Sequence, residues 1–210
     1  MIYLNNYGWN DKLSQLKQES TYNALTHGRI SIVHRTCYEV VSENGLFQCE
    51  LTGNMMYGKS DIELPCTGDW VLFQPFDEHK GIIVDMLPRE RTLYRKKNGT
   101  VADKQAIASY VDKAFIVQSL DDNFNVRRAE RFMVQMQEEN INPVLVFNKA
   151  DLGFDEQKVE EQIRHIARQI PVFFTSIHQP QTILQLRESI SAGETVVFVG
   201  SSGVGKSSLV

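Results

Sequence analysis

Thr195-Val196-Val197-Phe198-Val199-Gly200-Ser201-Ser202-Gly203-Val204-Gly205-Lys206-Ser207-Ser208 is the stretch that decides the fold. A β-branched apolar run stops at a glycine and continues as G-x-x-x-x-G-K-[ST], the pattern of a phosphate-binding loop between a strand and a helix. The residue types answer a physical need. Gly200, Gly203 and Gly205 let successive backbone N–H groups approach phosphate oxygens, and the helix that follows adds the positive end of its dipole. Ser201, Ser202 and Val204 complete the loop, and Lys206 is placed to reach β- and γ-phosphates as a point charge. The Ser207 hydroxyl is a candidate Mg²⁺ ligand, since Mg²⁺ takes one or two protein oxygens beside phosphates and waters, and Ser208 opens the helix at the edge of the nucleotide site.

A second motif lies upstream. Asn148-Lys149-Ala150-Asp151 fits N-K-x-D and follows the strand candidate Pro143–Phe147. The Asp151 carboxylate can accept from the ring N–H and the exocyclic amine of guanine together, a donor pair that adenine lacks on that edge. Asn148 braces the loop and contacts the purine, and the Lys149 stem lies along the ring face. Thr175-Ser176, after the strand candidate Pro171–Phe174, stands where backbone N–H groups would meet the guanine oxygen, although Thr-Ser after a strand is equally a helix N-cap. In an ordinary small GTPase the phosphate loop precedes N-K-x-D. Here it follows, which implies a circularly permuted guanine-nucleotide domain; an ATPase is disfavoured by Asp151.

Ahead of that domain the pattern changes. His27 to Leu87 reads as about five short strands broken by turn signals such as Glu43-Asn44-Gly45, which suggests a small closed barrel. An OB-fold is the economical candidate, with an SH3-like barrel nearly indistinguishable in sequence. The domains expected are an N-terminal extension over 1–26 with a short helix capped by Asn10, an OB-fold-like β-barrel over 27–90, a basic linker over 91–110, and the α/β domain over 111–210. In the last, strand candidates alternate with helices, at Asn125 to about Asn140, Glu156–Gln169 and near Ile183–Ile190, as in a parallel sheet covered on both faces.

Composition sets outer limits. The 210 residues carry 42% hydrophobic and 23% charged side chains and a net charge of −4. No apolar run approaches the roughly 18 residues of a membrane span, so no membrane is expected. The first residues lack the form of a secretion signal, and Cys37, Cys49 and Cys66 have no C-x-x-C spacing; they read as reduced thiols of a cytoplasmic protein. Residues 1–90 hold 7 Lys and Arg against 12 Asp and Glu, whereas Arg91, Arg95, Lys96, Lys97 and Lys104 face Asp103 alone. That basic stretch is either a solvated linker or a contact for phosphate backbone.

A barrel, then N-K-x-D, Thr-Ser and the phosphate loop in that order, resembles the circularly permuted, small-ribosomal-subunit-dependent GTPases of the RsgA or YjeQ type. Gly68-Asp69-Trp70-Val71, Val111-Asp112 and Phe124-Asn125-Val126-Arg127-Arg128-Ala129-Glu130-Arg131-Phe132 look like that family too. The resemblance implies a multi-domain protein, an OB-fold-like barrel followed by an incomplete P-loop GTPase domain. It also implies GTP and GDP as ligands with Mg²⁺, hydrolysis of GTP to GDP and phosphate in the full-length form, and small ribosomal subunits as partner during late maturation, with the barrel on rRNA. Members of the family continue past the phosphate loop into a switch region, a D-x-x-G motif and a zinc-binding tail, so Zn²⁺ is expected outside these residues. No D-x-x-G occurs in residues 1–210. The expectation is therefore a monomeric fragment of such a GTPase, itself inactive in turnover; the alternative is a non-hydrolysing, guanine-nucleotide-regulated RNA- or ribosome-binding module.

Overall fold

The computed structural model describes residues 1–96, 104–121, 124–153 and 156–210. Two compact units divide at Val111 and Asp112.

In the first unit, β1 (Thr26–Val33), β2 (Tyr38–Ser42), β3 (Gly45–Leu51), β4 (Trp70–Asp77) and β5 (Lys80–Met86) close into a barrel in the order β1-β2-β3-β5-β4, and a single turn of helix, α2 (Gly53–Met56), follows β3. β1 pairs antiparallel with β4 to seal it, and β3 pairs parallel with β5. A parallel pair cannot be joined by a hairpin. The chain between β3 and β4 must cross over, which makes this the Greek-key barrel of an OB-fold rather than an SH3-like meander. Along β3, Phe47 and Cys49 point inward while Leu46, Gln48 and Glu50 point out, the period of two that a half-buried strand requires.

β4 breaks that alternation, with Trp70, Val71, Leu72 and Phe73 all buried. Val71 and Phe73 pack inside the barrel with Ile30, Val40 and Ile83, while Trp70 and Leu72 pack outside it against Leu4, Leu13 and Leu87. The cover is α1 (Asp11–Glu19), whose N-cap Asn10 accepts the Leu13 N–H at 3.1 Å. Burying Leu13 there contributes roughly 1.5–3 kcal/mol. The N-terminal extension is thus packed on the outer face of β4. Beside Trp70, Asp69 is fully buried and accepts the Cys66 N–H at 2.7 Å and the Arg89 guanidinium at 2.6 and 2.9 Å.

The stretch read as a basic linker carries structure of its own. β6 (Leu93–Lys96) and β7 (Lys104–Ala108) form an antiparallel pair, with Leu93, Ala106 and Ala108 buried and an isolated bridge from Ala108 to Thr67. Four residues with two cations give little strand signal, and the pairing partner decides. Arg95 donates to Gln105 at 3.1 Å; Lys97 and the Lys96 side chain lie outside the described residues.

In the second unit, β8 (Lys113–Ser119), β9 (Asn142–Asn148), β10 (Val172–Phe174) and β11 (Val196–Val199) make a fully parallel sheet in the order β10-β9-β8-β11. α3 (Val126–Glu138) and α4 (Glu156–Ala167) pack with Ile116, Leu145 and Phe147, and α5 (Pro180–Glu188) and α6 (Lys206–Leu209) pack on the other face with Phe115, Val144 and Val146. α5 begins three residues before the helix expected near Ile183, because Pro180 occupies its first turn, where the missing N–H costs nothing. The sheet grows from β8 in both directions. Strand order therefore reverses beside β8, and in such sheets ligands bind outside the strands' carboxyl ends at that point.

Candidate nucleotide-binding site

The two motifs come off the strands that flank β8, N-K-x-D from the end of β9 on one side and the phosphate loop from the end of β11 on the other. β11 stops at Gly200, which turns at φ 148°; a Cβ there would run into the Val117 carbonyl of β8. Val204 is buried in the core below the sheet and anchors the loop, while Ser202 and Gly203 are exposed at its crest. Lys206 folds back on its own loop and donates to the carbonyls of Gly200 at 3.0 Å and Ser201 at 2.6 Å. Ser207 and Ser208 are exposed in the first turn of α6. From α3, the Arg128 guanidinium donates to the Ser201 hydroxyl, and a cavity of about 240 Å³ opens there between Arg128, Arg131, Phe132, Gln135, Gly200 and Ser201.

Asn148 ends β9 almost fully buried, and its side-chain amide donates to the Val204 carbonyl at 3.0 Å. The two motifs are thereby joined by a direct hydrogen bond. Gly205 (φ 91°) makes room for it, because a Cβ at that position would overlap the Asn148 amide. Thr175 Oγ1 donates to Asn148 Oδ1 at 3.3 Å.

Lys149 adopts a left-handed backbone (φ 63°), uncommon for a lysine, and its Nζ donates to Asp121 Oδ2 at 2.8 Å. The other Asp121 oxygen accepts from Ser119 Oγ at 2.6 Å. Asp151 is exposed and accepts the Ser176 hydroxyl, which holds its carboxyl below the usual value. Thr175 and Ser176 reach the loop through their side chains. The Thr175 N–H donates to the Phe147 carbonyl at 2.7 Å and the Ser176 N–H to Thr182 Oγ1 at 3.1 Å, so neither points at an open oxygen position.

Sequence reasoning missed Ser119, Asp121 and Arg128. The signal was available for the first two, since they end the central strand at the same edge as N-K-x-D. Arg128 sits in a helix that carries several arginines, and only the fold selects it. Among the described residues no group of three or more His, Cys, Asp or Glu side chains could hold a metal ion; the Zn²⁺ expectation concerns sequence outside this chain.

Comparison with known proteins follows the same outline. The family model described as RsgA GTPase matches residues 86–210. The small ribosomal subunit biogenesis GTPase RsgA 1 of Bacteroides thetaiotaomicron is 74% identical over 204 residues, covering 97% of this chain and 58% of that protein. The RsgA protein of Methanosarcina acetivorans is 34% identical, covering 97% of this chain and 54% of that one. The chain thus spans a little over half the length of these relatives. Among solved structures, YjeQ from Thermotoga maritima superposes with a TM-score of 0.68 at 26% identity, over 88% of this chain and 63% of that one. YloQ, described as a circularly permuted GTPase, gives a TM-score of 0.63 at 24% identity over 90% and 64%, a likeness of fold alone.

Proposed function

The chain belongs to the RsgA GTPase family, and on that premise we propose that it forms the base- and phosphate-binding part of a GTPase that assists maturation of the small ribosomal subunit. One observation carries the nucleotide reading: the Asn148 amide bonds to the Val204 carbonyl at 3.0 Å, which ties a guanine-type base loop to a phosphate-type loop. In this reading Asp151 accepts from the base edge, Lys149 covers the ring, and Asn148, Thr175 and Ser176 hold that loop. Gly200, Ser201, Ser202, Gly203, Val204, Gly205 and Ser208 shape the phosphate cradle.

Lys206 exchanges the Gly200 and Ser201 carbonyls for phosphate oxygens. The exposed Ser207 hydroxyl suits Mg²⁺, an oxygen-seeking ion, at the point where the glycine backbone leaves room for phosphates. The ion, when bound, neutralises charge that develops on the phosphates. Orientation of the attacking water needs a switch segment, and residues 1–210 contain no D-x-x-G to supply one. Hydrolysis is the activity we assign to a full-length form, and rRNA contact to the barrel and to Arg95 and its basic neighbours. No helix among the described residues is long and apolar enough to cross a membrane. A cytoplasmic monomer fits this role.

Replacing Asp151→Asn tests the base assignment. GDP is expected to bind more weakly by about 1.5–3 kcal/mol, the worth of hydrogen bonds to a charged group. Xanthosine diphosphate is expected to compete better than against the wild type, because the new amide can donate to its extra carbonyl. Displacement of a fluorescent GDP measures both; an unchanged GDP affinity removes Asp151 from the site.

A further inference from the structure

The base loop is held by a chain of side chains that starts in the middle of the sheet. Ser119 is fully buried at the end of β8, where the ladder register sets it opposite Asn148. Its hydroxyl fixes one oxygen of Asp121 at 2.6 Å, and the other oxygen takes the Lys149 ammonium at 2.8 Å. The Lys149 and Asp121 side chains are 34% and 25% exposed, so the pair stands at the rim of the sheet's carboxyl end rather than in the core.

A lysine side chain carries about 2 kcal/mol of rotamer entropy. If its stem is to lie flat along a purine, that freedom is lost when nucleotide binds, unless the ammonium is already held. Binding gains when such ordering has taken place beforehand. We propose that Asp121 is a positioning residue of the base site: held by Ser119, it fixes the Lys149 side chain in the pose that covers a guanine nucleotide. The proposal rests on the assignment of Asn148, Lys149 and Asp151 to the base.

Its consequence is specific. Asp121 acts through the ring face and not through the hydrogen-bonded edge, so its loss lowers affinity for all purines that use the site and leaves discrimination between them intact. Asp151, by contrast, reads the exocyclic amine that separates guanine from hypoxanthine.

The experiment measures dissociation constants and dissociation rates of GDP and inosine diphosphate for the wild type, Asp121→Ala, Asp121→Asn, Lys149→Ala and the Asp121→Ala/Lys149→Ala double variant. Asp121→Ala is expected to weaken both nucleotides equally, by about two- to fivefold, the scale of a partly exposed ion pair, with faster release. Asp121→Asn, which keeps the shape and the bond from Ser119, is expected to fall between Asp121→Ala and the wild type. The double variant is expected to bind no more weakly than Lys149→Ala. An Asp121→Ala loss that persists in full in the Lys149→Ala background would show a role independent of Lys149 and overturn the proposal, as would no loss at all. Asp151→Asn in the same titration separates the two levels of argument. If it weakens GDP while Asp121→Ala does not, Asp121 alone is misassigned; if neither matters, the base site itself is.

Discussion

Asp69 in the barrel unit and Asp121 in the α/β unit each hold a basic side chain, and the difference between them separates structure from site. Asp69 is fully buried and its partner Arg89 is 12% exposed on its side chain. Arg89 also donates to the Ile62 and Leu64 carbonyls, which secures the chain between β3 and β4 on the barrel. The Asp121–Lys149 pair is reachable from solvent, and Asp151 is exposed although its partner Ser176 is buried. A buried ion pair whose oxygens and N–H groups are matched from within has no bond to spare for a ligand, and its worth is in the shape it fixes. Groups held at a rim keep a face open to a ligand, so their contacts can position a side chain for binding with little cost in desolvation.

The largest effect that bears on this contrast is expected from Asp69→Ala. Arg89 is left with its charge partly buried and unmatched, and the barrel should lose about 3–5 kcal/mol. Urea unfolding followed by hydrogen exchange at the amides of β1–β5 measures it. A loss below about 1 kcal/mol would mean that Arg89 finds another partner, and the two aspartates would then differ less than their burial implies.

Next comes Gly205→Ala. The residue's φ of 91° and the Asn148 amide beside it both oppose a side chain. Strain of this kind costs roughly 1–3 kcal/mol, here taken from the link between the two loops. Calorimetric titration with GDP is expected to show about a tenfold or greater loss. Unchanged affinity would uncouple Asn148 from the phosphate loop.

The smallest effect is alkaline. Burial pushes the Cys49 and Cys66 thiols up to about 12, from about 9. The folded state therefore keeps protons that the unfolded chain releases, so stability is complete below about pH 9 and falls as pH rises toward 12. By pH 10 the loss is about 1 kcal/mol per thiol. All three cysteines precede Val111, so the barrel alone should weaken. Denaturation midpoints at pH 8 and pH 10 are expected to converge in Cys66→Ala relative to the wild type; an unaltered pH slope would exclude Cys66 as the cause.

The sequence disclosed local features well. β1 to β5 announce themselves by alternation and turn residues, and the glycine loop by its spacing. Asn10 and Asn125 cap α1 and α3 as their positions suggest, accepting from Leu13 and Arg128. What could not be read depends on partners far away in the chain. The parallel pairing of β3 with β5 leaves no mark on either strand, and β6 is a strand only because β7 lies beside it. The Asp121–Lys149 bond joins residues 28 apart, and Ser176 meets Asp151 across 25. Neither partner has a residue type that predicts the other. The chemistry of the site was legible in its motifs, while the contacts that hold those motifs in place emerge from the sheet.

Trp9 packs edge-on against Trp70, with ring centroids 4.8 Å apart, and also lies over His27 at 4.1 Å. These are the protein's two tryptophans, and its seven tyrosines likewise all precede Asp112. In this chain, absorption near 280 nm and intrinsic emission therefore come from the first unit alone; the unit that carries both nucleotide motifs is optically silent apart from phenylalanine. Once the nucleotide's own absorbance is corrected for, a change in tryptophan emission on its addition reports a signal received by a unit that holds neither loop. The molecule thus carries its own monitor of communication between its halves, with no label attached.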